Sequence, residues 1–122
     1  MAQRVLVVDD EMHLAKILQF TLNHAGYEAS LAYDGKEALE ALERESFDLV
    51  ILDLMLPLVD GYKVCNRIKS DESLKHIPVI ILSARDFERE VLDEPLDADI
   101  LLQKPFNIEV LLGHISSLLQ TV

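Results

Sequence analysis

Short apolar runs that do not alternate with polar residues set the pattern of this chain. Arg4-Val5-Leu6-Val7-Val8, Leu49-Val50-Ile51-Leu52, Val79-Ile80-Ile81-Leu82 and Ile100-Leu101-Leu102 are dense in Val, Ile and Leu. A strand with no polar alternation is covered on both faces, as in a parallel sheet layered between helices. A weaker strand is expected over residues 28–33, second in chain order.

Helical periodicity fills the gaps. Residues 12–25 place Leu14, Ile17, Leu18 and Leu22 on one face, with Gly26 as a stop. Asp34-Gly35-Lys36-Glu37 has an acid followed by Glu three residues on, a capping-box pattern, and the helix it starts turns Ala38, Ala41 and Leu42 inward. Asp60 can cap a third helix running through Ile68, and Ile108, Leu111, Leu112, Ile115, Leu118 and Leu119 form one stripe of a last helix. Residues 85–99 read less clearly. They hold seven acids, two arginines and Pro95, so a short or irregular fourth helix is expected there. Five strands alternating with five helical segments predict an α/β fold with a parallel sheet and right-handed crossovers, one domain over residues 1–122.

Composition excludes several function classes. Acids outnumber bases 22 to 11, for a net charge of −11, so the chain repels nucleic-acid backbones and no direct nucleic-acid partner is expected. Cys65 is the one cysteine, which rules out an internal disulfide. No apolar run is long enough to span a bilayer and no signal peptide is expected, so the predicted location is cytoplasmic, with no membrane partner.

Chemistry gathers where strands end. The first run stops at Asp9-Asp10, the third strand at Asp53, the fourth at Ser83 and the fifth at Gln103-Lys104. Ligands of open parallel α/β sheets bind beyond the carboxyl ends of the strands, where strand order reverses. Three carboxylates brought together there repel one another, and a hard divalent cation with oxygen ligands resolves the conflict. A serine hydroxyl and a lysine ammonium beside them suit a phosphoryl group. Nucleophile, metal and cationic partner together match phosphoryl transfer to a carboxylate.

Val7-Val8-Asp9-Asp10-Glu11, the stretch from Asp53 through Pro57 to Asp60-Gly61, Ile81-Leu82-Ser83-Ala84 and Lys104-Pro105-Phe106 resemble, in order and over essentially the whole chain, the receiver domain of response regulators. The resemblance implies a flavodoxin-like sheet of order 2-1-3-4-5 with helices on both faces. It implies Asp53 as the phosphorylated nucleophile, taking phosphoryl from the phosphohistidine of a sensor histidine kinase or phosphotransfer protein. Mg²⁺ would be held by Asp10, Asp53 and the Met55 carbonyl, with Asp9 acting largely through water. Ser83 would read the phosphoryl group, Lys104 would pair with it, and the Lys104–Pro105 peptide would be cis. Slow self-dephosphorylation would reset the switch, with no turnover of outside substrates. Phosphorylation would alter a surface for an output domain or protein, in a monomer or a phosphorylation-dependent dimer.

Two departures stand out from that pattern. An aromatic residue is usual three positions before the lysine, where this chain has Leu101. The lead into the fifth strand is Asp97-Ala98-Asp99, with Pro95 before it, where the family commonly has Gly-Ala-Asp after a regular helix.

Other polar residues have plainer readings. Asp34, Asp48 and Asp60 read as caps or turns, Glu11 as a first-turn acid and Cys65 as a packing residue. His13, His24, His76 and His114 show no metal-ligand spacing. Competing functions are weaker. An interaction module independent of phosphate would suit Leu101, but not the intact set of Asp10, Asp53, Ser83 and Lys104. A phosphohydrolase would need an acid two residues after Asp53, where Met55 stands, and a dinucleotide site would need glycines where Asp9 and Asp10 stand.

Overall fold

The computed structural model describes residues 2–84 and 98–119. Five parallel strands, β1 (Arg4–Val8), β2 (Glu28–Ala32), β3 (Leu49–Asp53), β4 (Val79–Ser83) and β5 (Ile100–Gln103), form one sheet in the order β2-β1-β3-β4-β5. Four helices are described: α1 (Met12–His24), α2 (Gly35–Arg44), α3 (Gly61–Ser70) and α4 (Ile108–Leu119). The irregular helix expected over residues 85–99 lies outside the described residues, apart from Ala98 and Asp99.

The apolar runs of β1, β3 and β4 end up covered on both faces as their pattern requires, whereas β5, at the edge of the sheet, leaves Leu101 exposed. Even-numbered residues of β1 (Leu6, Val8), with Val50, Leu52, Val79 and Ile81, pack against α2 and α3 through Ala38, Ala41, Leu42, Val64, Cys65 and Ile68. Their neighbours Val5, Val7, Leu49, Ile51, Ile80 and Leu82 face the other way, onto Leu18 and Leu22 of α1 and Leu111, Ile115 and Leu119 of α4. Ile51 and Leu52 are both fully buried yet serve opposite cores. Truncating either to Ala costs about 2–5 kcal/mol through lost transfer energy and a cavity.

Helix starts follow local chemistry. Asp34 Oδ1 accepts from the Glu37 amide at 2.7 Å, while Glu37 Oε1 accepts from the Tyr33 amide at 2.7 Å. This is a reciprocal cap shifted one residue upstream on its return bond. Asp60 Oδ1 caps α3 through the Lys63 amide at 3.0 Å. Asp48 accepts from the Arg4 amide at 2.8 Å, fastening the start of β1.

One helical face departs from expectation. Ile17 is 56% exposed, and Ala15 is buried beside Leu18 and Leu22. Ile17 sits about 100° around the helix from Leu18. The buried stripe centres on Ala15, Leu18 and Leu22, which leaves Ile17 on its solvent flank.

Candidate functional site

Parallel strands deliver all their carboxyl ends to one edge of the sheet. β1 lies between β2 and β3, so chain order reverses there and a crevice opens between the ends of β1 and β3. Val8 pairs with Leu52, and one step further Asp9 stands level with Asp53. Carboxylate oxygens of Asp9, Asp10 and Asp53 all come within 4.8 Å of one another. Asp9 and Asp53 are buried, with 1% and 6% of their surfaces exposed, and Asp10 faces solvent.

Each buried carboxylate is held from two sides. Asp9 Oδ1 accepts from the Glu11 amide at 2.9 Å, and Asp53 Oδ1 accepts from the Met55 amide at 3.0 Å. Their other oxygens share one donor: Lys104 Nζ lies 2.9 Å from Asp9 Oδ2 and 3.0 Å from Asp53 Oδ2. Lys104 follows β5, and its amide donates to the Ser83 carbonyl at 2.7 Å, which fixes its stem against the end of β4. The Lys104–Pro105 peptide is cis. Ser83 is fully buried at the end of the strand beside β3.

The electrostatics follow from burial and pairing. Burial pushes the Asp53 carboxyl above its ordinary value, and the Met55 amide and the Lys104 ammonium offset only part of that rise. For Lys104, burial pulls downward, but its bonds to Asp9 and Asp53 outweigh it and hold the ammonium above the ordinary lysine value. Three carboxylates facing one ammonium leave two negative charges over, which matches a divalent cation. Oxygens on opposite sides of a six-coordinate Mg²⁺ stand about 4.2 Å apart, so this cluster fits such an ion after small adjustments.

The structure thus brings Asp9, Asp10, Asp53 and Lys104 together, with Ser83 and Met55 on the flanking strand end and loop. Glu11 stands at the cap of α1 rather than within its first turn, and its amide serves Asp9. Leu101 pairs with Ile81 on β4 and is 41% exposed. Sequence reasoning missed the close packing of Gly61. A Cβ there would overlap the Asp53 carbonyl and Leu54 Cα, so only glycine lets α3 start directly against the end of β3. The Asp60-Gly61 pair carried the signal, but it reads equally well as an ordinary loop. Among the described residues, no helix is long and apolar enough to cross a membrane.

Known proteins share this chain's sequence pattern and fold. Residues 5–116 match the family model of the response regulator receiver domain. The response regulator ArlR of Staphylococcus saprophyticus is 36% identical over 118 residues, which cover 96% of this chain and 52% of that protein. The chain therefore spans about half the length of this curated relative. Chemotaxis response regulator CheY4 of Vibrio cholerae superposes with a TM-score of 0.88 at 31% identity, covering 98% of this chain and 100% of that one. Response regulator TrrA of Thermotoga maritima, solved in complex with Mg(2+)-BeF, gives a TM-score of 0.84 at 35% identity, covering 96% and 99%.

Proposed function

This chain belongs to the response regulator receiver domain family of two-component signalling, and from that premise we propose that it is a phosphoacceptor switch with Asp53 as its acceptor. The observation that carries the proposal is the meeting of the Asp9, Asp10 and Asp53 carboxylates, with the Lys104 ammonium shared between Asp9 and Asp53. In this reading Asp10, Asp53 and the Met55 carbonyl hold Mg²⁺, with Asp9 contributing through water. The bound ion would offset the charge of the carboxylates and of the arriving phosphoryl oxygens.

The chain's own groups account for the rest. An Asp53 oxygen attacks phosphorus, a P–O bond forms, and the P–N bond to the donor imidazole breaks with its electron pair going to nitrogen. Lys104 leaves the carboxylate pair to pair with a phosphoryl oxygen, and the Ser83 hydroxyl donates to another. Water later attacks the acyl phosphate slowly, which resets the switch. The phosphoryl group adds a charge of roughly −1.5 to −2 at the site, and the response of the surrounding surface is the signal.

The wider assignments go with this reading. A sensor histidine kinase or phosphotransfer protein supplies the phosphoryl group in the cytoplasm. An output domain or protein reads it, with the chain acting as a monomer or as a dimer formed on phosphorylation. Residues 1–122 act as one receiver domain.

Incubation with a small phosphodonor and Mg²⁺ tests the proposal. A mass gain of one phosphoryl group is expected, dependent on Mg²⁺ and absent from Asp53→Asn. No gain in the wild-type chain would favour an interaction module that works without phosphate.

A further inference from the structure

The loop after β3 is braced from outside the acidic pocket, by a residue of α2. Pro57 accepts at its carbonyl from the Val59 amide at 2.9 Å, closing a three-residue turn centred on Leu58. Leu58 has φ of 69°, in the left-handed region where a non-glycine residue is strained. The same carbonyl also meets the Gly35 amide, at 3.5 Å. Gly35 is the first residue of α2 and is buried. A Cβ on it would overlap the carbonyl of Val59 and lie 2.7 Å from the Val59 Cβ. The obstacle is mostly backbone, so no side-chain rotation relieves it.

We propose that Gly35 is a positioning residue for the 54–60 loop: its bare backbone seats the turn at Leu58 and so sets where the Met55 carbonyl stands beside the acidic pocket. The inference rests on the proposed Mg²⁺ site. The loop is tied at both ends, by the Met55 amide on Asp53 and by the Gly61 amide on the Leu54 carbonyl at 2.9 Å. Between those ties, the strained turn keeps its place through the Gly35 contact. A methyl group at position 35 must displace the turn, and a ligand carbonyl on the same short loop moves with it. Support for a metal ligand from outside the immediate ligand set is commonly worth 10–100-fold in affinity.

The test compares wild-type chain, Gly35→Ala and the exposed control Lys36→Ala. Amide NMR during Mg²⁺ titration gives affinity, and phosphorylation rate against Mg²⁺ concentration separates half-saturation from maximal rate. For Gly35→Ala we expect metal-free amide shifts across residues 54–60 and about tenfold weaker Mg²⁺ binding. At saturating Mg²⁺ its maximal rate should return to within about twofold of wild type, which a general loss of structure would not allow. Lys36→Ala should match wild type. Should Gly35→Ala fail to fold, Leu58→Gly gives the same turn more backbone freedom without an overlap and should weaken Mg²⁺ binding. Unchanged Mg²⁺ affinity in a folded Gly35→Ala, or in Leu58→Gly where that serves, overturns the inference. A wild-type chain that binds no Mg²⁺ sinks the proposed function itself.

Discussion

Lys104 donates to Asp53 Oδ2 at 3.0 Å from a strand end that does not adjoin β3. The ammonium also takes Asp9 Oδ2 at 2.9 Å, so it sits between the two buried acids as an internal counterion. Lys104→Met would leave both acids without that partner. Breaking a buried ion pair costs about 3–5 kcal/mol. Lys104 keeps some contact with solvent, so about 2 kcal/mol is expected, read by urea denaturation without metal. The pH dependence has a fixed sign. The folded-state value of Lys104 is raised, so its contribution is complete below the ordinary 10.5 and fades as pH climbs through the folded value. Wild type and Lys104→Met should therefore differ in stability from neutral pH to about 10.5 and converge above it.

Asp53→Asn should stabilise the metal-free chain. Burial is the main force on this carboxyl, and it raises the folded-state value. A raised group contributes stability that is present below the unfolded value of 3.8 and lost as pH rises through the folded value. The neutral amide escapes that loss. Its advantage should be small near pH 3.8 and grow toward neutrality. Thermal melts of both proteins across that range give the answer. An advantage that shrinks as pH rises would contradict the burial argument.

Mg²⁺ should stabilise the folded chain by mass action. A ligand present at a hundred times its dissociation constant adds about 2.7 kcal/mol when only the folded state binds it. The expected readout is a melting temperature that climbs with Mg²⁺ in wild type and is much less responsive in Asp10→Asn. Asp10 is exposed, so its neutralisation should barely move the metal-free melt. Chelation should return wild type to its metal-free value.

Most of the scaffold was legible because its signals are local. Strands such as Val79-Ile80-Ile81-Leu82 announce burial on both faces by lacking alternation, and Asp34 and Asp60 announce caps by position. Asp9, Asp53 and Lys104 were legible as a set because parallel strands bring their carboxyl ends to one edge. What failed depends on distance or on small angles. Ile17 and Leu18 are adjacent in sequence, and periodicity alone does not say which of them centres the buried stripe. Gly35 meets Val59 across 24 positions of chain, and no local pattern marks that contact. Asp99 closes the acid-rich run over residues 85–99, whose composition predicts only an irregular helix, yet it works at the entrance to the sheet.

Asp99 accepts from the Val79 amide at 2.8 Å and from Lys69 Nζ at 3.2 Å through the same oxygen, and its own amide donates to the Val79 carbonyl at 2.9 Å. Lys69 also donates to the Ile77 carbonyl at 3.0 Å. One carboxylate thus joins the end of α3, the start of β4 and the lead into β5. Asp99→Ala would strand the Val79 amide and release Lys69. Losing a charge-assisted bond to a part-buried amide costs about 1.5–3 kcal/mol, and exposure of the Asp99 side chain favours the lower end. Asp99→Asn keeps an acceptor for the amide but loses the ion pair, which is worth about 0–1 kcal/mol near the surface. Urea denaturation should therefore rank wild type, then Asp99→Asn, then Asp99→Ala. The phosphorylation rate of Asp53 should stay close to wild type in both variants, because Asp99 stands at the opposite end of the strands from the acidic pocket. Equal stability of Asp99→Ala and wild type would show that these bonds do not hold the start of β4.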